Sequence, residues 1–285
     1  MDNLKEFLTE VKKDEYKIKE SYNLDEIIEA MLKEIGSPDY VLRDKLIYTT
    51  FSNWFSDGTF NKIRRKHILN TALGEEYLFY NIHLTDEFSV FKRSFSSLVI
   101  ALALYSHNKD EYLTLDEVLN VKEIVLKYIK YEKDYRGYVI DYGWAHSIAH
   151  IADVLSNLAN TPTLNKENIL EILNSISYLL ENDKVCYSFG EQGRLAYTFL
   201  KILDKNLLSD NEIVEWFEEN FVIKDIKSLK SPYSDYIWGN KKIFLHEAYF
   251  DLEKDSIKNE IYSLVRSKTY VWGAEDYVPK IQKGN

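Results

Sequence analysis

Residues 143–160 read GWAHSIAHIADVLSNLAN and are closed by Thr161-Pro162. Helical residues step by about 100° around an axis. On that wheel Trp144, Ala145, Ile148, Ile151, Ala152, Leu155, Leu158 and Ala159 share one arc, the pattern of an amphipathic helix rather than a strand. With Trp144 at zero, Asp153 falls at about 180°, His146 at about 200°, Asn157 at about 220° and His150 at about 240°. The spacing predicts a helix over 143–160 with one narrow polar stripe opposite its apolar face, ended by the proline.

Between Gly137 and Asn165 there is no Lys, Arg or Glu, and Asp141 and Asp153 are the only charged residues. At the chain's 29% of charged residues, a span of this length would hold about eight. A helix face in open water is usually filled with Lys and Glu. The stripe therefore reads as part of an interior helix or a cleft wall, whose polar groups need partners.

The same periodicity recurs on both sides. Helices are predicted around Leu4, Phe7, Leu8 and Val11, over Leu24 to Ile35 before Gly36-Ser37-Pro38, over Asp39 to Phe55, and over 60–73, with a short one near 75–82. Phe88 to His107 follows, with Ser94, Ser97 and Ala101 as small residues that let a neighbour approach. Capping boxes at Thr114-x-x-Glu117 and Ser209-x-x-Glu212 open helices over 115–132 and to about Asn220. Asn165 caps 166–181, Gly190 to Leu203 is helical, 224–237 is irregular, and 240–252 and 255–267 close the series. No alternating strand pattern is visible.

Short loops imply antiparallel neighbours. Hairpins beginning near 88, 143, 190 and 240 recur roughly every 50 residues, close to the unit of helical solenoids. The fold class expected is all-α, with helical hairpins stacked as a HEAT-like α-solenoid or an α/α superhelix; a compact bundle or α/α toroid is the alternative. Residues 1–285 are expected to form one domain, looser at 1–20 and 280–285.

Composition narrows the function classes. Four prolines and ten glycines in 285 residues disfavour a turn-rich β fold. A net charge of -10 argues against a nucleic-acid binder, although Lys62-Ile63-Arg64-Arg65-Lys66-His67 is a short basic run. The single Cys186 permits no intrachain disulfide, and with a charged N-terminus and no signal peptide it fits a cytoplasmic protein. The apolar run Leu98 to Tyr105 is too short for a membrane span.

Histidines at i and i+4 can reach one ion, so His146, His150 and Asp153 are the candidate ligands for a divalent metal. Ser147 occupies the position where a zinc protease helix has its Glu, so that mechanism is not expected. For an organic, peptide or protein ligand the candidate contacts are His146, His150, Asp153, Asn157 and Trp144, with Arg136 and Arg93 as possible anion-binding groups. His107 ends its helix, where a cation suits the dipole.

Three blocks together resemble a known family: Arg43-Asp44-Lys45-Leu46-Ile47-Tyr48 running to Trp54, FKRSFSSLVIALALYSHN from Phe91, and YEKDYRGYVIDYGWAHSIAHIADVLSNLA. The family is bacterial and is catalogued as a domain of unknown function, number 2785. The resemblance covers about residues 20–270 and implies a helical, cytosolic protein without naming a reaction. The leading expectation is a helical-repeat scaffold that binds a ligand or partner in a groove lined by the 143–160 helix. The rival is a metal-assisted hydrolase using His146, His150 and Asp153, and a third reading buries the stripe between packed helices as a hydrogen-bonded network with no ligand.

Overall fold

The computed structural model describes residues 3–19, 21–84, 86–221, 233–253 and 255–267. Twelve α-helices dominate the described residues: α1 Leu4–Lys13, α2 Leu24–Lys33, α3 Thr49–Ser56, α4 Lys62–Ala72, α5 Ser89–Lys109, α6 Leu115–Tyr131, α7 Ser147–Asn160, α8 Lys166–Leu180, α9 Glu191–Asp204, α10 Asp210–Phe221, α11 Tyr233–Asp251 and α12 Asp255–Ser267. The all-α reading holds.

Local signals act as their chemistry demands. Thr114 and Glu117 close a reciprocal capping box on α6. Asn165 Oδ1 accepts from Asn168 N at the start of α8, and Ser209 and Glu212 bond each other before α10. Ser94, Ser97 and Ala101 of α5 are buried, and α5 packs on α7. Then α7 packs on α9 and α9 on α11, while α6 meets α8 and α10 meets α12. With neighbours on α5, α6, α8 and α9, α7 is an interior helix, which accounts for its lack of Lys, Arg and Glu.

Several boundaries differ from expectation. The helix expected from Gly143 begins at Ser147. Ahead of it lies a two-residue antiparallel ladder, β1 Tyr138–Val139 with β2 Gly143–Trp144, although no strand was anticipated. The segment expected as one helix over 39–55 starts with a π-helical stretch, Val41–Tyr48, and only then becomes α3. Residues 75–83 form successive turns rather than a helix. Within the expected irregular stretch 224–237, helix α11 already starts at Tyr233; residues 224–232 lie outside the described residues. In the N-terminal segment expected to be looser, Leu4, Leu8 and Val11 of α1 join the core, and Trp54 Nε1 donates to Tyr16 O at 2.7 Å. The expected loose tail, 280–285, lies outside the described residues.

The basic run on α4 is neutralised internally. Arg64 pairs with Asp25, Arg65 and Lys62 with Asp110, Lys66 with Glu117, and His67 with Glu29. No helix of the described residues is long and apolar enough to cross a membrane.

Candidate functional site at the start of α7

The hairpin 138–144 is held by a buried cation. The Arg43 guanidinium is wholly buried between the Phe91 and Phe95 rings, at 4.1 and 4.7 Å. It donates to Ser37 O at 2.6 Å and to Tyr142 O at 2.7 Å. Its Nε lies 2.8 Å from Asp44 Oδ1, an ion pair whose angle falls short of a hydrogen bond. Burial pushes the Asp44 carboxyl up to about 6 against the pull of Arg43. Gly143 passes over this cation with φ +82, and a Cβ there would sit 2.9 Å from that of Tyr40.

The chain then turns back on itself. Ala145 N donates to Gly137 O at 2.8 Å, and His146 N donates to Arg136 O at 3.0 Å. His146 takes a left-handed conformation, φ 53 and ψ 34, immediately before α7. It is therefore not on the helical wheel at all, and the expected stripe loses its first member. His150, Asp153 and Asn157 do lie on α7.

Each polar side chain of the expected site has a defined partner. Ser94 donates its one hydroxyl proton to Ala145 O, so it accepts from His150 Nδ1 at 2.8 Å. His150 is thus the Nδ1–H tautomer, and Nε2 is the bare nitrogen. His146 Nε2 lies 3.1 Å from Phe189 O, which only accepts, so His146 carries its proton on Nε2. Glu191 Oε1 is 3.5 Å from the same nitrogen, and its other oxygen accepts from Phe189 N at 2.8 Å. The two imidazoles meet edge to face, with centroids 5.6 Å apart. Burial lowers the pKa of His146, opposed by Glu191. Burial, then the neighbouring His146 and Arg194, hold His150 well below the usual imidazole range. Both are neutral at pH 7.

Asp153 turns to Arg194 on α9 and forms an ion pair. Burial pushes its carboxyl up to about 6, although Arg194 pulls the other way. Burial and then Asp153 raise the Tyr48 hydroxyl beside it. Asn157 Nδ2 is spent on Asp153 O at 2.9 Å within α7.

The metal site expected from His146, His150 and Asp153 does not assemble. Asp153 faces Arg194, and His146 lies off the helix that was to align it with His150. Among the described residues no three His, Cys, Asp or Glu side chains converge to hold an ion. Arg93 and Arg136 also do not face the imidazoles. Arg93 is buried against Glu132 at 2.7 and 2.9 Å, and Arg136 pairs with Asp134 at 2.6 Å.

Trp144 is where the site reaches solvent. Its ring stacks on His146 at 4.5 Å and 19°, and meets Tyr138 and Phe189 edge-on at 5.0 and 5.7 Å. Tyr138, Trp144 and Phe189 are exposed, as is Ile140 at 78%. Gly137 makes room for this lip, since a Cβ would sit 2.1 Å from the Phe189 ring. The wheel had placed Trp144 on the core face, although it was also counted as a ligand contact. Arg43, Glu191, Arg194 and Phe189 were not among the candidate site residues expected from the sequence. Glu191 and Arg194 share one face of the first turn of α9, a signal legible once α7 and α9 are known to be neighbours.

A family model described as "Protein of unknown function (DUF2785)" matches residues 78–250. The chain belongs to this family. The DUF2785 match is narrower than the 20–270 expected and leaves out the Arg43 to Trp54 block, but it contains α5, the hairpin, α7 and α9. No curated protein and no solved structure matches.

The titrations oppose one another, which gives a test. Asp153 binds its proton more tightly folded than unfolded, so its protonation adds stability as pH falls through about 6 toward the unfolded value. The neutral histidines do the reverse and cost stability as pH falls below the ordinary imidazole value of about 6.5. Asp153→Asn removes the stabilising half. Its Tm relative to wild type should fall progressively between pH 7 and 5 in thermal melts; a constant difference would refute the assignment.

Proposed function

We propose that this protein is a helical-repeat scaffold that engages a protein partner through the aromatic lip over the start of α7. The repeat reading rests on the order of packing, with α5, α7, α9 and α11 following one another and α6–α8 and α10–α12 paired beside them. It favours a HEAT-like α-solenoid of antiparallel hairpins.

One observation carries the binding reading: Tyr138, Ile140 and Trp144, inside a span without Lys, Arg or Glu, form an exposed apolar patch that Phe189 of the 181–190 loop completes. Interface centres are depleted in charge and enriched in aromatics, with Trp and Tyr as frequent energetic anchors. His146 and His150, only 6% and 5% exposed, support the lip from beneath and offer little to a free ligand. Stacking on His146 fixes the Trp144 ring, so little rotamer entropy is lost on docking.

A photoreactive benzoylphenylalanine at position 140, expressed in host cells, tests this. A discrete adduct is expected, abolished by Trp144→Ala with Phe189→Ala. An adduct at twice the chain mass would identify a second copy as the partner. The same photoprobe at Ile63, 79% exposed, is the control. Equal adduct patterns at positions 140 and 63 would overturn the proposal.

A further inference from the structure

Arg93 and Arg136, drawn away from the histidines, face a different feature: a cleft of about 800 Å³ between Ile82, His83, Leu84 and Asp86, the end of α6 with its following loop, and residues 184–185. That volume is typical of small-molecule sites. Five cations line it, Arg93, Lys130, Lys133, Arg136 and Lys184, against three acids. This reverses the balance of a chain with 46 acidic and 36 basic residues.

All three acids are already engaged. Glu132 accepts from Arg93 and Tyr128, Asp134 from Arg136, and Asp86 from Ser89 and Phe88 at the start of α5. Arg93 and Arg136 are matched by these partners, and Lys184 lies 3.1 Å from Asp183. Lys130 and Lys133 meet no acidic side chain among the described residues; Lys133 Nζ lies 6.0 Å from the Tyr178 ring centroid, a contact that leaves its charge unneutralised. Concave walls of low dielectric concentrate the field of such uncompensated charges. Beside the lysines, His83 and Tyr131 pack edge to face at 5.7 Å, and Tyr135 is half-buried. They supply flat apolar faces next to the cations.

We propose that this cleft binds a small soluble phosphate ester carrying a planar or apolar group. Lys130 and Lys133 attract the phosphate as mobile point charges, and the aromatic side takes the organic group. Lysine rather than a free arginine fork at the mouth suits a dianion approached from several directions.

Phenyl phosphate titrated into the full chain by calorimetry at low salt provides the test, with inorganic phosphate and phenol as separate probes. Saturable one-to-one binding is expected, at least tenfold tighter for phenyl phosphate than for either fragment. Lys130→Ala with Lys133→Ala should weaken it tenfold or more without shifting the melting curve, since both side chains are exposed. Lys13→Ala with Lys45→Ala, the same charge change outside the cleft, should alter it less than twofold. Absence of saturable heat, or equal weakening by both pairs, would overturn the proposal.

Discussion

Glu132→Ala should destabilise the fold by about 3–5 kcal/mol, the usual consequence of leaving a buried charge unpaired. Glu132 and Arg93 have side chains only 2% and 3% exposed. The carboxylate accepts from Arg93 Nε and Nη2, from the Tyr128 hydroxyl, and from the backbone N–H groups of Lys133 and Asp134. Losing it strands a guanidinium inside the protein and frees the loop that follows α6. In a chain of this size the melting temperature should drop by roughly 10 °C. The double variant Arg93→Met, Glu132→Leu should recover part of that loss, because removing both partners leaves no orphaned charge, while the Tyr128 hydroxyl and the Lys133 and Asp134 N–H groups still lose their acceptor. Equal melting of Glu132→Ala and wild type would show that the pair contributes nothing.

Arg43→Met should cost a similar amount, about 3–5 kcal/mol, but with a different local signature. The variant keeps apolar volume between Phe91 and Phe95 while removing the donors to Ser37 O and Tyr142 O. Asp44 then loses its buried counter-charge. Amide exchange across 138–146 should accelerate well before global unfolding, because the hairpin loses its internal anchor. Arg43→Lys should not rescue it, since an ammonium lacks the planar fork that reaches both carbonyls. Unchanged exchange in the hairpin would refute this anchoring role.

The helices were legible because their evidence is local. The boxes at Thr114 and Ser209 and the cap at Asn165 depend on residues three apart, and each acts where the sequence places it. The start of α7 was not legible, because apolar periodicity continues through Trp144 and Ala145 while the backbone does something else. Asp141 and Gly143, both at positive φ, and the left-handed His146 make a hairpin too short to alternate visibly. Asp141 and Gly143, four and six residues after Gly137, were the available hint.

The site was half legible for a related reason. The absence of Lys, Arg and Glu from 137–165 marked this helix as interior or as a cleft wall, from composition alone, and α7 packs as the first of these. Which group each polar residue meets depends on helix partners distant in sequence. Arg194 lies on α9 and Ser94 on α5, and neither spacing nor periodicity links them to Asp153 and His150. The metal reading failed there: it assumed that three polar residues on one wheel converge, whereas α7 offers them to different neighbours.

The loop 132–137 has two sides. Its side chains Asp134 and Arg136 border the cleft, while the carbonyls of Asp134, Arg136 and Gly137 hold Ser147, His146 and Ala145. One thickness of backbone is thus a party wall between the cationic cleft and the aromatic lip. A ligand that displaces the wall displaces the footing of Trp144, and a partner that clamps Trp144 stiffens the wall. If both proposed surfaces bind, any free-energy coupling of this kind is reciprocal, and each surface would report occupancy at the other.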